Sequence, residues 1–390
     1  MPAARDASAG VVVVGGGVVG CSIAYHLRKA GFTDRVVVLE RDSTYRRASS
    51  RLAFGGIRQQ YATEVNARMA QRSVAFYRGF DAEMAVDGRP ANGRFRARGY
   101  LFLADSGNAE RLSRRYDRMR TIGVAVEKVG LDEMRRLVPG MNVEDVEFGL
   151  FGPEDGYGDP IGVLAGFRAR TESLGVEFVE GDLESVELAD GRIAGVRSAG
   201  RSISTERLVC AAGAFSRRVG ELAGAPVPVS PVRQQLVRAA LPRPWSFEFP
   251  VVIDPSGVHW RSGEGNAIVI ARTDAGEPES ENMIADAGRL ETLQPILTRR
   301  VPALAGLQTI QVWAGLYEMT VDHNGILGEH PDRPGFFLAC GFSGHGLMMA
   351  PATGEIVADQ LLGREPFVDV GALGVDRFRT GRLFQDEAMI

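Results

Sequence analysis

The chain has 390 residues, of which 45% are hydrophobic and 24% are charged. These values are typical of a globular protein that is long enough for two domains with cores of their own. The formal net charge of -4 argues against a nucleic acid or an anionic membrane surface as partner, because both need clustered positive charge. No membrane span or signal peptide is evident, which predicts a soluble cytoplasmic protein.

Three cysteines, Cys21, Cys210 and Cys340, are far apart in the sequence, and each lies in an apolar stretch. Neither a CxxC pair nor a Cys/His cluster with the spacing of metal ligands occurs. The pattern therefore predicts buried, reduced thiols and no metal site.

The first 40 residues predict a strand, a glycine turn, a helix and a second strand. The strands are the apolar runs Val11–Val14 and Val36–Leu39, and the helix runs from Val18 to Ala30. The turn has the sequence GGGVVG, which fits G-x-G-x-x-G. Such a unit binds the pyrophosphate of a dinucleotide at the N-terminus of its helix.

Each glycine of the turn has a separate physical task. Gly15 allows the sharp turn, Gly17 lets the backbone approach the pyrophosphate, and Gly20 lets the helix pack on the strand. Glu40 ends the second strand, where a carboxylate accepts hydrogen bonds from ribose hydroxyls and repels the 2′-phosphate of NADP. The turn by itself leaves NAD and FAD open.

Further along the chain, α/β and strand-rich segments alternate, which predicts two interwoven domains. Helical periodicity is found over Glu64–Met84, Ile284–Arg300 and Pro351–Leu362, and Phe95–Ala97 is strand-like. The string GFSGHG at 341–346 predicts a second glycine turn from a strand into a helix, with backbone N–H groups directed at a ligand.

Several segments resemble the D-amino-acid-oxidase-like flavoprotein superfamily, which includes glycine oxidase and sarcosine oxidase. Within it, the chain is most similar to the branch of FAD-dependent oxidoreductase domain-containing proteins. The resemblance covers nearly the whole chain and is carried by Val12–Gly20, Val38–Arg41, Arg47–Tyr61, Ala211–Ser216, Trp313–Gly328 and Cys340–Met348.

The resemblance implies an α/β fold in which a glutathione-reductase-like FAD-binding domain is interwoven with an α+β substrate domain built on a large, mostly antiparallel sheet. It assigns residues 1–86, 150–225 and 312–390 to the FAD-binding domain, and residues 87–149 and 226–311 to the substrate domain. Carried over by position, the residues expected at FAD are Gly15, Gly17, Val18, Val19, Gly20, Glu40, Arg41, Ser49, Ser50, Gly55, Gly56, Ile57, Leu183, Ala212, Gly213, Gly315, Gly344, His345, Gly346, Leu347 and Met348.

Some relatives attach the flavin covalently, and this sequence departs from their pattern. Gly315 stands where those relatives have cysteine, and no histidine occurs between residues 48 and 56, where others have one. We therefore expect noncovalent FAD. Met348 likewise stands where sarcosine oxidase has a lysine that helps to hold the substrate.

The resemblance also implies candidate residues for the substrate. Arg58 matches an arginine that binds the substrate carboxylate, for which a guanidinium is well suited, although a surface or phosphate-directed arginine is the plainer interpretation. Tyr317 matches a pocket tyrosine, and a buried structural tyrosine is equally consistent with the sequence. Trp260 and Arg272 are expected near the same pocket. We expect a structural contact with the flavin from His345, rather than a role as a base.

These residues predict an enzyme that oxidises the C–N bond of an amino acid or N-alkylated amino acid. Hydride would pass to flavin N5, and the imine would then hydrolyse. Only two lysines occur, Lys29 and Lys128, and both are far from the flavin motifs. The lysine associated with oxygen activation in sarcosine oxidase is therefore absent, which disfavours fast oxygen chemistry by that route and favours a dehydrogenase with another acceptor. An oxidase without such a lysine stays an alternative. Oxidation of a 2-hydroxy acid, or a flavin-bound scaffold or assembly factor with little turnover, remain alternatives.

Overall fold

A computed structural model describes residues 5–6, 8–274 and 276–384, which fold around two large β-sheets. We call the first the parallel sheet. Its six strands, in spatial order, are Ile326–Glu329, Phe336–Cys340, Leu208–Cys210, Val11–Val14, Val36–Glu40 and Glu177–Glu180. All neighbours run parallel except the first pair, which is an antiparallel hairpin.

The parallel sheet is built from apolar strands because both of its faces are covered. Val11, Val12 and Val13 are completely buried, as the uninterrupted valine run predicts for a strand with no solvent-facing side. Helix Val18–Lys29 packs against the sheet and against helix Gly346–Leu361. The carboxyl ends of these strands therefore meet at one edge, where ligands bind in open α/β sheets.

The second sheet, which we call the large sheet, has eight strands. In spatial order they are Gln308–Met319, Ser230–Ala240, Ala267–Arg272, Val258–Gly263, Val251–Ile253, Tyr100–Ala104, Phe148–Gly152 and Glu127–Val129. Only one neighbouring pair is parallel, Val251–Ile253 with Tyr100–Ala104. The mixed α/β fold with a large, mostly antiparallel sheet is therefore as predicted.

The two faces of the large sheet have different neighbours. One face packs under helix Arg289–Arg300, where Leu293 and Leu297 are completely buried. The other face carries Leu236 and Ala271 and turns toward the carboxyl edge of the parallel sheet. A cavity lies between these two surfaces.

The smaller elements complete the chain. A four-stranded sheet contains Arg5–Asp6, Arg201–Ser204, Arg192–Ser198 and Leu183–Ala189, and a two-stranded sheet contains Gly56–Ile57 and Gly156–Tyr157. The other α-helices are Ser49–Leu52, Glu64–Arg78, Phe80–Glu83, Ala109–Ile122, Leu131–Leu137, Pro160–Ser173, Ser216–Leu222 and Asp376–Thr380, with 3₁₀ turns at Gly213–Phe215, Pro302–Leu304 and Gly371–Leu373. No helix in the described ranges is long and apolar enough to cross a membrane.

Strand Gln308–Met319 is longer than the sequence pattern indicates. It pairs antiparallel with Ser230–Ala240 along its full length, so residues 312–319 belong to the large sheet. The predicted domain boundaries at 149/150 and 311/312 each fall within a strand. Strand Gln308–Met319 thus continues across the predicted boundary and reaches the cavity, which the order of the sequence motifs does not indicate.

The last long helix begins earlier than predicted. It spans Gly346–Leu361, so Pro351 lies inside it instead of at its start. Proline has no N–H to donate to the carbonyl of Leu347, and the Tyr77 hydroxyl donates to that oxygen instead, at 2.6 Å. The Ser73 hydroxyl accepts from the N–H of Ala352 at 3.2 Å. Side chains of helix Glu64–Arg78 thus satisfy the backbone groups that the proline leaves unpaired.

Three other local predictions are wrong in their extent. The helix predicted from Ile284 begins only at Arg289, and the helix predicted over 64–84 divides at Gly79. Segment 95–97 forms a single bridge, between Arg96 and Tyr157, and no strand. Hydrophobic periodicity predicts that these elements exist better than it predicts the residues at which they begin and end.

Candidate active site

One elongated cavity runs from the glycine turn after Val11–Val14 to the open face of the large sheet. All but three of the predicted site residues line it. The exceptions are Gly20, Ile57 and Trp260. The sequence therefore located the cavity well, although the two ends of the cavity lie on different domains and have different chemistry.

The glycine turn forms the first end of the cavity. Gly15 has φ of 104°, and a Cβ added there would lie 2.3 Å from the carbonyl oxygen of Ala211. A Cβ on Gly20 would lie 1.9 Å from the carbonyl oxygen of Gly15. Gly20 therefore allows helix and strand to pack together without lining the cavity. Side chains at these two positions would collide with the backbone, so only glycine keeps the tight turn that presents its N–H groups to a pyrophosphate.

Two serines from the short helix Ser49–Leu52 contact this end. The Ser50 hydroxyl accepts from the N–H of Val18 at 3.0 Å, at the first residue of helix Val18–Lys29. The Ser49 hydroxyl donates to the carbonyl oxygen of Leu316 at 2.7 Å. A helix N-terminus with a hydroxyl beside it is a site that suits phosphate oxygens.

Glu40 is held by backbone donors at the edge of the cavity. One carboxylate oxygen accepts from the N–H of Gly16 at 2.8 Å, and the other accepts from the N–H of Asp42 at 3.0 Å. Burial raises the pKa of this carboxyl group above its usual range. Next to it, the Arg41 guanidinium lies over the Phe215 ring, 3.5 Å from the ring centroid. A fixed carboxylate and a stacked cation can accommodate a ribose and an adenine.

The turn after Phe336–Cys340 forms the middle of the cavity. Gly341, Ser343 and Gly344 have positive φ, which brings the start of helix Gly346–Leu361 to the cavity. A Cβ on Gly344 would lie 2.5 Å from the ring of Tyr317. Turn and tyrosine therefore contact each other closely, and only glycine fits between them.

Glu318 joins this turn to the large sheet and was not predicted from the sequence. Its carboxylate accepts from the N–H of Gly341 at 2.8 Å, and its backbone carbonyl accepts from the N–H of Ser343 at 3.1 Å. Burial raises the pKa of this carboxyl group to about 7. Its position in an unremarkable YEMT string gave no signal; only the strand pairing brings it to the cavity.

Arg58 lies at the second end of the cavity and is completely buried. Its guanidinium donates to the carbonyl oxygen of Gln60 at 2.6 Å and lies 3.2 Å from Nε2 of His345. The ring centroids of Tyr61 and Phe102 are 4.4 and 5.4 Å from its central carbon. The surface position that the plainer interpretation gave to Arg58 is wrong, because aromatic rings enclose the guanidinium inside the protein.

Two other charged groups are buried under Arg58. The Arg115 guanidinium also donates to the carbonyl oxygen of Gln60, at 2.8 Å. Asp155 accepts from the N–H of Gln59 at 2.9 Å and from the side chain of Gln60 at 3.1 Å. Burial raises the pKa of Asp155 to about 7, so its charge at neutral pH is partial. Both guanidiniums thus donate to the carbonyl oxygen of Gln60, whose side chain contacts Asp155.

A sequence profile of the family described as FAD dependent oxidoreductase matches residues 10–360. The chain belongs to this family. Its cofactor is therefore FAD, and the glycine turn, the helix N-terminus and the fixed carboxylate described above fit the dinucleotide.

Two kinds of relative are similar along almost all of this FAD-dependent oxidoreductase. The bovine FAD-dependent oxidoreductase domain-containing protein 1 is 34% identical over 97% of this chain and 87% of its own length. The structure of an L-proline dehydrogenase from P. horikoshii superposes with a TM-score of 0.87 at 27% identity, over 97% of this chain and 99% of that one. Glycine oxidase from Geobacillus kaustophilus gives 0.84 at 25%, over 95% and 99%. The protein is thus an oxidoreductase related to amino-acid oxidases and dehydrogenases.

In this oxidoreductase, His345 is held on both of its ring nitrogens. Nδ1 lies 3.1 Å from the carbonyl oxygen of Phe342, so it carries the proton and donates. Nε2 then accepts a hydrogen bond from Arg58, because a guanidinium can only donate. The imidazole is therefore a neutral link between the turn and the arginine, and neither nitrogen is placed to remove a proton from a ligand.

Trp260 is not in the pocket, and this prediction is wrong. Its side chain is completely buried in the core under helix Arg289–Arg300, and it pairs with Ile270. Because side chains alternate along a strand, its neighbour His259 faces the cavity. Arg272 borders the cavity at the end of the next strand.

The remaining predicted positions are found as follows. Met348 lines the cavity and accepts a hydrogen bond from Tyr61 at 3.0 Å. Lys29 pairs with Glu83 on the outer surface, and Lys128 lies over the Phe148 ring. Neither lysine lines the cavity. The basic groups that border it are therefore arginines, together with the two neutral imidazoles of His259 and His345.

Proposed function

We propose that the protein oxidises the C–N bond of an amino acid or N-alkylated amino acid, with the substrate carboxylate on Arg58. The observation that carries this proposal is the buried Arg58 guanidinium at the end of the cavity, enclosed by aromatic rings. A guanidinium attracts a carboxylate strongly where the dielectric is low, and a carboxylate matches its two parallel N–H groups.

The charges around Arg58 support an anionic substrate. Arg115 adds a second buried positive charge, while the pKa of Asp155 is raised to about 7. Two guanidiniums therefore lie near this end of the cavity in a region of low dielectric, where they attract a negatively charged group. A substrate carboxylate supplies such a group, whereas an amine that lacks a carboxylate does not.

FAD would be held noncovalently along the rest of the cavity. Gly15, Gly17 and the N-terminus of helix Val18–Lys29 would hold the pyrophosphate, and Glu40 the ribose. The N–H groups that begin helix Gly346–Leu361 would lie at the ring, where they favour negative charge on the reduced flavin. The position of these residues along one continuous cavity supports these proposed roles.

FAD supplies the hydride acceptor for the carbon next to nitrogen, and the imine product then hydrolyses in water. The chain itself would orient that carbon by holding the carboxylate on Arg58. Tyr100 and Tyr317 line the same end of the cavity, and burial raises the pKa of Tyr317 to about 12, so its phenol stays protonated. A pocket of this kind favours the neutral amine, which is the form that can give up hydride.

We further propose that an acceptor other than oxygen takes the electrons. Neither lysine lines the cavity, so the cation that would assist oxygen in the sarcosine-oxidase manner is missing. The experiment for both proposals is an anaerobic screen in which amino acids, and the amines that lack their carboxylate, are mixed with the FAD-loaded protein. We expect bleaching of the flavin by an amino acid and none by its matched amine.

Two outcomes of the screen would contradict the proposal. Bleaching by 2-hydroxy acids alone would make the protein a hydroxy-acid dehydrogenase. If no candidate bleaches the flavin and the protein copurifies with one stoichiometric partner, it would be a flavin-bound scaffold. After bleaching, reoxidation by an artificial acceptor but not by dissolved oxygen would support a dehydrogenase, and rapid reoxidation by oxygen would contradict it.

A further inference from the structure

His259 brings an imidazole to the substrate end of the cavity, beyond the residues used so far. It lies on strand Val258–Gly263, opposite Ala271 of the next strand, and both residues line the cavity. Its ring contacts the edge of Phe54, with 4.9 Å between the centroids. Only 6% of the residue is exposed, so the imidazole has been removed from bulk water.

The two nitrogens of this ring have different surroundings. Nδ1 lies 3.1 Å from the carbonyl oxygen of Gly257, which fixes the proton on Nδ1. No group among the described residues donates to Nε2, and this atom is still accessible from outside the side chain's packing. Its lone pair therefore opens to the cavity as a hydrogen-bond acceptor.

The imidazole is neutral at physiological pH. Its pKa is lowered to about 4, chiefly by burial and to a smaller extent by the charge of Arg58, against the opposing effect of the Gly257 carbonyl. Strand register places both residues at the same end of the cavity, because His259 lies opposite Ile253, Ile253 lies opposite Phe102, and the Arg58 guanidinium is 5.4 Å from the Phe102 ring centroid. A cationic donor and a neutral acceptor thus border the space that the substrate would occupy.

We propose that Nε2 of His259 accepts a hydrogen bond from the substrate's N–H while Arg58 holds its carboxylate. This inference rests on the proposed function and specifies the substrate class. An α-amino acid carries its N–H next to its carboxylate, so the two residues would bind the two adjacent groups. The carbon between them would then be fixed in place for oxidation.

The neutral acceptor selects among amines. A neutral primary or secondary amine has both a lone pair, which oxidation requires, and an N–H for His259. A neutral tertiary amine has no N–H, and a protonated one has no lone pair. The substrates should therefore be primary or N-monoalkylated amino acids, and N,N-dialkylated ones should be excluded.

The test uses two flat carboxylates that cannot be oxidised at the same position, pyrrole-2-carboxylate and 2-furoate. They have the same shape, but the first has a ring N–H where the second has an oxygen. Each is titrated into the FAD-loaded protein, and binding is followed by the flavin absorbance spectrum. We expect wild type to bind pyrrole-2-carboxylate about tenfold more tightly, because an oxygen facing Nε2 leaves the acceptor unpaired.

Two variants connect that difference to His259. His259→Leu should lower the affinity for pyrrole-2-carboxylate about tenfold and change the affinity for 2-furoate by less than about twofold. His259→Gln keeps a hydrogen-bond acceptor and should retain part of the preference. Equal affinities of wild type for the two ligands would overturn the inference even if a variant fails to fold. Anaerobic bleaching by an N-methyl amino acid, and its absence with the N,N-dimethyl analogue, is the second expected result.

The outcomes separate this inference from the proposed function. Equal affinity of wild type for the two carboxylates, with both weakened in Arg58→Gln, would overturn the role of His259 and leave the carboxylate site intact. Binding of neither carboxylate, or unchanged binding of both in Arg58→Gln, would overturn the proposed function as well. Bleaching by the N,N-dimethyl analogue at the same rate would contradict the substrate class.

Discussion

Nη2 of Arg58 lies 3.2 Å from Nε2 of His345, although the two residues are 287 positions apart in the chain. Arg58 belongs to the segment GGIRQQ and His345 to the segment GFSGHG. Their contact joins the substrate end of the cavity to the turn that begins helix Gly346–Leu361. Because Glu318 also holds this turn, through Gly341 and Ser343, a change at the arginine should act mainly on the substrate.

Substitution of Arg58 should weaken substrate binding. Arg58→Gln removes a charged donor from the carboxylate, and hydrogen bonds to charged groups contribute about 1.5–3 kcal/mol, so KM should rise roughly 10- to 100-fold. Steady-state kinetics with an artificial acceptor measure this. Arg68→Gln is the control, because Arg68 is an exposed arginine paired with Glu64 on a helix surface. An unchanged KM in Arg58→Gln would remove Arg58 from the substrate site.

Substitution of Gly344 should weaken FAD binding. A Cβ there would lie 2.5 Å from the Tyr317 ring, and φ is 94°. Gly344→Ala should therefore displace the turn and lower FAD affinity at least about tenfold, since the strain and the contact must both be relieved. The flavin-to-protein ratio after dialysis measures this.

Gly363 provides a matched control for the backbone effect. It also has positive φ, 67°, but an added Cβ would have no heavy atom within 4 Å. Gly363→Ala should lower stability by about 1 kcal/mol and leave FAD binding intact. Equal loss of flavin in both variants would mean that the contact with Tyr317 is unimportant.

Tyr77 and Pro351 should be energetically coupled. Tyr77→Phe leaves the Leu347 carbonyl without its 2.6 Å donor inside the protein, which costs about 1–3 kcal/mol. Pro351→Ala restores an N–H that can donate to the same oxygen, so the tyrosine substitution should cost about 1 kcal/mol less in that background. Urea denaturation of the four proteins with saturating FAD measures the cycle. Additive effects would show that the Tyr77 hydroxyl does not take the place of the N–H that Pro351 lacks.

FAD should be released when the protein is denatured. Gly315 offers no nucleophile, and Cys21, Cys210 and Cys340 do not line the cavity. After precipitation with acid, the flavin absorbance should be found in the supernatant and the pellet should be colourless. Yellow colour that stays with the pellet, or a protein mass increased by that of FAD, would show a covalent bond.

His26 should make the protein less stable in acid. Burial lowers its pKa from the usual 6.5 to about 4. Because the pKa is lower in the folded state, its contribution is fully present above pH 6.5 and is lost as the pH falls toward 4. The loss amounts to roughly 3 kcal/mol.

A single variant isolates this effect. The stability difference between wild type and His26→Gln should change by that amount between pH 7 and pH 4, because all other titrating groups are common to both proteins. Urea denaturation at several pH values measures it. A difference that stays constant over this range would mean that folding does not change the pKa of His26.

Much of the site could be predicted from local sequence. Gly15, Gly17 and Glu40 lie in one short βαβ unit, where backbone geometry determines what each residue can do. The choice between Trp260 and His259 could not be made in this way. Both residues lie on one buried strand, and only the pairing with Ile270 and Ala271 determines which side chain faces the cavity.

By itself the sequence determined the family, the FAD turn and the segments that meet at the cavity, because glycine turns and buried strands are local patterns. The tertiary structure decided the rest. It buried Arg58 among aromatic rings, extended the last helix past Pro351 with the hydroxyl of Tyr77, and turned His259 toward the cavity. Each of these depends on partners far away in the chain, which supply hydrogen bonds or remove water and which no local pattern encodes.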